Sequence, residues 1–259
     1  MKEKNFRYIY GPVSSWRLGA SLGIDQLSQE KKICSFDCVY CQIGRTGVFT
    51  CERKIYVPAE AVIEELKQLP EVEIDYYTFS GRGEPTLAKD FKKLATWIKN
   101  EKRGRCAILT NSTTITDPSV RDDLCVMDLV SFKIDAATQE TFEKINRPCC
   151  GITLDTILNH LADFRKIYQG LFTIQVMAIE ENLKEMSQIA EICRKLSPDI
   201  VYLNTPLRDS SVPPVSQQHF NELEKLFEGL RVLSVYSAHK KVVQPISVKD
   251  TMKRRGKKI

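Results

Sequence analysis

The sequence predicts an α/β protein built on a parallel sheet, either open or curled into all or part of a (β/α) barrel, with a short C-terminal extension. Three observations carry this. Runs rich in β-branched, aromatic and leucine residues alternate with segments of helical periodicity. Polar or glycine-rich residues recur just after those runs, where parallel sheets gather their functional groups. At 259 residues and 42% hydrophobic, the chain has the apolar material for a sizeable core.

Taken in order, LGASLGIDQL (18–27) reads as the first strand. Residues 60–69 place Val62, Ile63, Leu66 and Leu69 on one helical face, and YYTFS (76–80) follows as a strand. Residues 89–99 form a second helix through Phe91, Leu94, Ala95 and Ile98, before the strands CAILT (106–110) and DLVSFKI (128–134). Leu154, Ile157, Leu158, Leu161 and Tyr168 make a third stripe, ahead of the strand FTIQVMAI (172–179). Met186, Ile189, Ala190, Cys193 and Leu196 make a fourth, ahead of IVYLN (200–204). After Pro206, DSSVPP reads as a linker, then come a helix (Phe220, Leu223, Leu226, Phe227), a short strand RVLSVY and a basic tail. The organisation is a core over 1–207 and an extension over 208–259, without internal repeats.

No run approaches the roughly 18 apolar residues of a membrane span, and MKEKNFRYIY lacks the apolar stretch of a signal peptide, so the chain reads as cytoplasmic with no membrane partner. Nine cysteines in such a chain argue for thiols, metal or redox chemistry over a disulfide framework. The net charge of +5 is modest, and the tail cations Lys253, Arg254, Arg255, Lys257 and Lys258 read as solvated and mobile.

The unusual chemistry sits at strand ends. CSFDCVYC (34–41) follows the first strand, Gly81-Arg82-Gly83-Glu84-Pro85 the second, Thr110-Asn111-Ser112 the third, Asp135 the fourth and Asn204-Thr205-Pro206 the last. Cys34, Cys38 and Cys41 in a C-x3-C-x2-C spacing suit zinc or an iron–sulfur cluster. His160, His219 and His239 are distant, which leaves Cys51 as the local candidate for a fourth zinc ligand. In a 4Fe-4S cubane three thiolates leave one iron open to a small molecule.

With Tyr40 before the third cysteine, this spacing resembles the signature of the radical S-adenosylmethionine (SAM) superfamily, whose fold is a partial (β/α)6 barrel. Gly83-Glu84-Pro85 resembles the superfamily's glycine-glycine-glutamate-proline motif, with Arg82 in place of the first glycine, which puts a bulky cation near the ligand. GPVSSWRLGASLGID, SFKIDAATQETFEKINRP and VYLNTP look like the short Fe–S oxidoreductase group related to the wyosine tRNA-modification synthase, over roughly residues 7–228. The wyosine enzyme has further N-terminal cysteines, whereas this chain has none before Cys34. Cys149 and Cys150 are an adjacent pair, and Cys106, Cys125 and Cys193 read as buried small hydrophobes.

The resemblance implies a 4Fe-4S cluster on Cys34, Cys38 and Cys41, and SAM cleaved reductively to methionine and a 5'-deoxyadenosyl radical. Gly83 and Glu84 would hold the methionine amino group and Tyr40 would pack near the adenine. Asn111 and Asp135 would contact the ribose or the amino-acid carboxylate, order water, or cap turns. Lys133, two residues before Asp135 on the same strand face, is the candidate catalytic residue, binding an anionic substrate or forming a Schiff base; a structural ion pair is the alternative. Arg147 reaches either the site or the surface. The resemblance also implies an electron donor such as ferredoxin or flavodoxin, and tRNA as a partner. The alternatives are a radical SAM maturase acting on a peptide or small metabolite, and a non-catalytic metal or electron-transfer protein.

Overall fold

The computed structural model of the protein describes residues 6–149 and 151–255. Its main sheet contains β1 (Ile9–Ser15), β2 (Gly19–Ile24), β5 (Tyr76–Phe79), β6 (Cys106–Thr110), β7 (Leu129–Lys133), β8 (Leu171–Met177), β9 (Ile200–Asn204) and β10 (Val232–Ser234), in that spatial order. Every neighbouring pair is parallel except β1 with β2. The sheet curls into a half-barrel, the arrangement the alternating sequence predicts. A two-residue ladder of β3 (Ile33–Cys34) and β4 (Val48–Phe49) brackets the cysteine loop.

Helices α1 (Ala59–Lys67), α2 (Phe91–Trp97), α3 (Pro118–Leu124), α4 (Gln139–Asn146), α5 (Leu154–Ile167), α6 (Met186–Leu196) and α7 (Gln217–Leu226) lie between the strands; α8 (Val248–Arg255) follows β10. Strand residues alternate between two faces. On β7, Val130 and Phe132 join the main core, where Phe132 meets Phe164 of α5 at 5.7 Å and Phe172 of β8 at 5.0 Å between ring centroids. Ser131 and Lys133 of the same strand line a cavity instead. The concave face is therefore rich in hydroxyls: Ser21 of β2 and Thr78 of β5 share a buried hydrogen bond of 2.7 Å. Among the described residues no helix is long and apolar enough to cross a membrane.

The six expected parallel strands are all present, and the short strand expected after the linker extends the same sheet as β10, pairing with β9. Additional to the expected elements are the antiparallel edge β1, the β3–β4 ladder, the short helices α3 and α4, and α8. The last corrects, at Arg254, the reading of the tail cations as solvated and mobile. Thr251 and Arg254 of α8 are buried, because Thr251 Oγ1 accepts from Gly11 N at 3.0 Å and the Arg254 guanidinium donates to the Arg7 carbonyl. Lys257 and Lys258 lie outside the described residues, as does Cys150. A smaller correction concerns Cys125: it caps the end of α3 and is exposed, whereas Cys106 and Cys193 are buried as expected.

Candidate active site

The cysteine loop leaves the end of β2 and is tied down along its length. Val48 N donates to Lys32 O at 2.9 Å and Thr50 N to Cys34 O at 3.1 Å, closing the small ladder. Val39 N donates to Ile145 O at 2.9 Å, and Cys41 N to Cys38 O at 3.1 Å. Ile33 N donates to Arg82 O at 3.2 Å and Glu84 N to Ile33 O at 3.1 Å, locking the loop to the Gly83-Glu84-Pro85 turn. Only glycine fits between these bonds: Gly83 has φ of +150°, and a Cβ there would stand 1.7 Å from Ile33 O.

Cys34, Cys38 and Cys41 line one cavity of about 250 Å³ beside the ends of β5, β6 and β7. Each thiol meets its own nitrogen donor. Asn111 Nδ2 reaches Cys34 Sγ at 3.7 Å, Asn146 Nδ2 reaches Cys38 Sγ at 3.6 Å, and Lys32 Nζ reaches Cys41 Sγ at 3.0 Å. Burial pushes the Cys34 and Cys38 thiols up, opposed by the positive charges of Lys32 at Cys34 and Lys133 at Cys38. Lys32 is itself buried. Burial pulls its ammonium down, but Cys41, Cys34 and Cys38 in their thiolate forms, with the hydrogen bond to Cys41, outweigh this and raise it above its ordinary value.

Tyr40 and Asp135 form a second knot. The Tyr40 hydroxyl donates to Asp135 Oδ2, which also accepts from Asn146 Nδ2 at 2.9 Å, while Asp135 Oδ1 accepts from Met177 N at 2.8 Å. Lys133 Nζ stands 3.5 Å from Asp135 Oδ2 and 4.7 Å from the Tyr40 ring centroid. Burial, with the Asp135 charge, pushes the Tyr40 phenol well up, so the phenol remains a donor.

Glu84 is the third knot. Its Oε1 accepts from Thr86 N, Thr86 Oγ1 and Thr110 Oγ1 at 3.0, 2.6 and 2.7 Å, and its Oε2 from Asn111 N at 2.6 Å. Burial raises its pKa against these donors. The carboxylate thereby binds the end of β5 to the end of β6 and keeps an acceptor position on Oε2 at the cavity wall.

All nine residues expected at the site, namely Cys34, Cys38, Tyr40, Cys41, Gly83, Glu84, Asn111, Lys133 and Asp135, fall in this assembly, and all but Asp135 line the cavity directly. Asn111 and Asp135 spend their side chains on the cysteine loop, Ser35 and Tyr40. The Arg82 side chain corrects the expectation of a cation beside the ligand: its guanidinium turns outward to the carbonyls of Gln29 and Glu30, both at 2.8 Å. Arg147 is exposed at the end of α4 and Cys51 is exposed away from the cavity; Cys149 lines a separate cleft. The sequence reading missed Lys32, Asn146 and Ser131. A lysine two residues before the first cysteine was the available signal for Lys32; Asn146, remote in sequence, offered none.

A half-barrel of parallel strands with three cysteines on the loop after the first of them is the radical SAM arrangement, and the chain belongs to the radical SAM superfamily, whose family model matches residues 32–193. It is similar to the UPF0026 protein of Synechocystis, 37% identical over 78% of this chain and 77% of that one. It is also similar to a UPF0026 protein of Methanocaldococcus jannaschii, 40% identical over 78% of this chain and 64% of that one. Among solved structures, Streptococcus suis SuiB bound to S-adenosylmethionine shares the fold at TM-score 0.61 and 14% identity, over 79% of this chain and 48% of SuiB. This chain thus spans about half of that protein's length.

The donor set fits a cluster with an open iron. Three thiols lining one cavity are the donor set a cubane would take, one thiolate to each of three irons. The cavity also fits a polar ligand: Ser131 Oγ, 3% exposed as a residue, lines it without a hydrogen-bond partner among the described residues.

Proposed function

We propose that the protein is a radical SAM enzyme in which Cys34, Cys38 and Cys41 hold a 4Fe-4S cluster and the remaining iron takes SAM. The observation that carries this is one cavity shared by the three thiols, Gly83 and Glu84. Such a cluster, when bound and reduced, supplies the electron that splits SAM into methionine and a 5'-deoxyadenosyl radical.

The chain's own residues do the rest. The acceptor position on Glu84 Oε2 takes an N–H of the methionine ammonium, and the cavity-facing backbone of Gly83 lets the ligand approach. Ser131 Oγ offers a hydroxyl to the ligand from β7. The Lys133–Asp135 pair acts as a positioning element: it holds Tyr40 beneath the ammonium and keeps the cysteine loop against α4. Ferredoxin or flavodoxin is the proposed electron source. The solved relative SuiB, with SAM bound in the same fold, supports the cofactor reading.

The test is anaerobic reconstitution with iron and sulfide, then reduction in the presence of SAM, with 5'-deoxyadenosine quantified for the parent and Cys38→Ala. Product from the parent alone is the expected result. A cluster-loaded parent that binds SAM in equilibrium dialysis yet makes no product, with or without cell extract as a substrate source, would favour an electron-transfer role. tRNA, the substrate class of the wyosine group, predicts tRNA binding that weakens steeply with salt.

A further inference from the structure

A second cavity, of about 280 Å³, adjoins the first and shares Arg17, Gln42, Ser80, Gly81 and Arg208 with it. Its charge is one-sided. Arg17 comes from the β1–β2 turn, Arg208 from the segment after β9 and Lys240 from the segment after β10, and no Asp or Glu is among the described residues lining it. The chain as a whole carries 38 Lys and Arg against 33 Asp and Glu, so a lining without a carboxylate departs from the rest of the molecule. A fourth cation, Arg254, is shared with Asp25, 3.8 Å from its Nε.

The arrangement is built as well as charged. The Arg17 guanidinium lies 4.9 Å from the Trp16 ring centroid and donates to Gln175 Oε1, which fixes its plane at the boundary of the two cavities. Ser15 Oγ accepts from Arg17 N at 3.3 Å and Leu18 N at 3.1 Å, so its own proton is directed to another acceptor. Guanidinium, ammonium and hydroxyl donors from separate segments are the set that recognises a phosphoryl group. The volume suits a small molecule rather than a length of polymer.

Resting on the radical SAM reading, we infer that this second cavity is the substrate site and that the substrate is a small molecule carrying a phosphate ester or diphosphate. The anionic group is held by Arg208, Lys240 and Arg17, and the carbon that loses hydrogen lies toward Ser80 and Gly81, the wall shared with the cofactor cavity.

The probe is inorganic pyrophosphate, titrated against the cluster-loaded protein at fixed ionic strength and followed by phosphorus NMR linewidth, with SAM affinity measured by equilibrium dialysis on the same samples. The expected result is saturable broadening with the parent. The apparent affinity falls about three- to tenfold in Lys240→Gln, further in Lys240→Glu, and again in Arg208→Gln. No saturable broadening, or equal broadening in the parent and all variants, overturns the site. Displacement of pyrophosphate by stoichiometric tRNA assigns the cavity to a nucleic-acid backbone and overturns the small-molecule assignment. Pyrophosphate bound as expected by a protein that takes up no SAM overturns the assignment as a substrate site and places the failure in the cofactor reading.

Discussion

Asp25 is a buried carboxylate at the end of β2 whose replacement by asparagine tests the energetics of the fold. Its Oδ1 accepts from Leu27 N at 3.2 Å and Arg82 N at 3.3 Å, while its Oδ2 faces Arg254 Nε at 3.8 Å with neither atom hydrogen-bonded among the described residues. Burial outweighs these contacts and the carboxyl is pushed from 3.8 up to about 6. The folded protein therefore holds this proton more tightly than the unfolded chain does. The stability it contributes is fully present below the unfolded value and is lost as pH rises through the folded one. Each tenfold in proton affinity is worth about 1.4 kcal/mol, so the whole loss is about 3 kcal/mol, of which about 2 kcal/mol falls between about pH 4.5 and about pH 7.5. Asp25→Asn keeps the shape and remains neutral throughout. Urea unfolding of the apoprotein should show the variant gaining about 2 kcal/mol on the parent across that interval, at equal m-values. Parallel stability curves would refute the reasoning, since they would mean that Arg254 and the two backbone donors fully compensate the buried charge.

Three further outcomes are expected. Lys32→Met lowers the midpoint potential of the reconstituted cluster by the order of 60 mV, a tenfold change in a one-electron equilibrium, because it removes the buried cation and donor at Cys41; Lys32→Arg restores part of it in potentiometric EPR. Glu84→Gln turns one acceptor into a donor facing the Asn111 amide or the threonine hydroxyls, which costs about 1–3 kcal/mol in chemical denaturation and weakens SAM binding in dialysis. Phe132→Ala empties the space between Phe164 and Phe172 and destabilises the fold by about 3–5 kcal/mol, seen as a lower denaturant midpoint.

What was legible in the sequence follows from how local each signal is. The six parallel strands and the longer helices were readable because their apolar residues repeat within a few positions. β1 was hidden: Gly11 and Pro12 interrupt it and its register shifts between Tyr10 and Val13, which an edge strand tolerates. α3 spans seven residues with only Val120 and Leu124 buried, and α8 is mostly charged, so neither shows an apolar stripe. The three cysteines and the Gly83-Glu84-Pro85 turn were legible as contiguous motifs. Their partners were not, since Asn111 lies 77 positions from Cys34 and Asn146 lies 108 from Cys38.

Those distant partners bear on how the site accepts a cluster. The three side-chain nitrogen donors at sulfur come from three places: Lys32 from within the loop, Asn111 from the end of β6, and Asn146 from the end of α4. Burial disfavours thiolates at Cys34 and Cys38, so protonated thiols are the resting form of an unloaded loop. If Cys34, Cys38 and Cys41 hold the proposed cluster, iron would displace those protons, and the charge left on sulfur would meet donors that Ser35, Thr113, Tyr40 and Asp135 already hold in place. Loading would thus need proton release more than rearrangement, because the surrounding donors are already placed by the sheet and α4. Lys32 is the exception in kind, a full positive charge where the side-chain donors at the other two thiols are neutral amides, so Cys41 is the sulfur at which a cation would meet the charge of the proposed cluster directly.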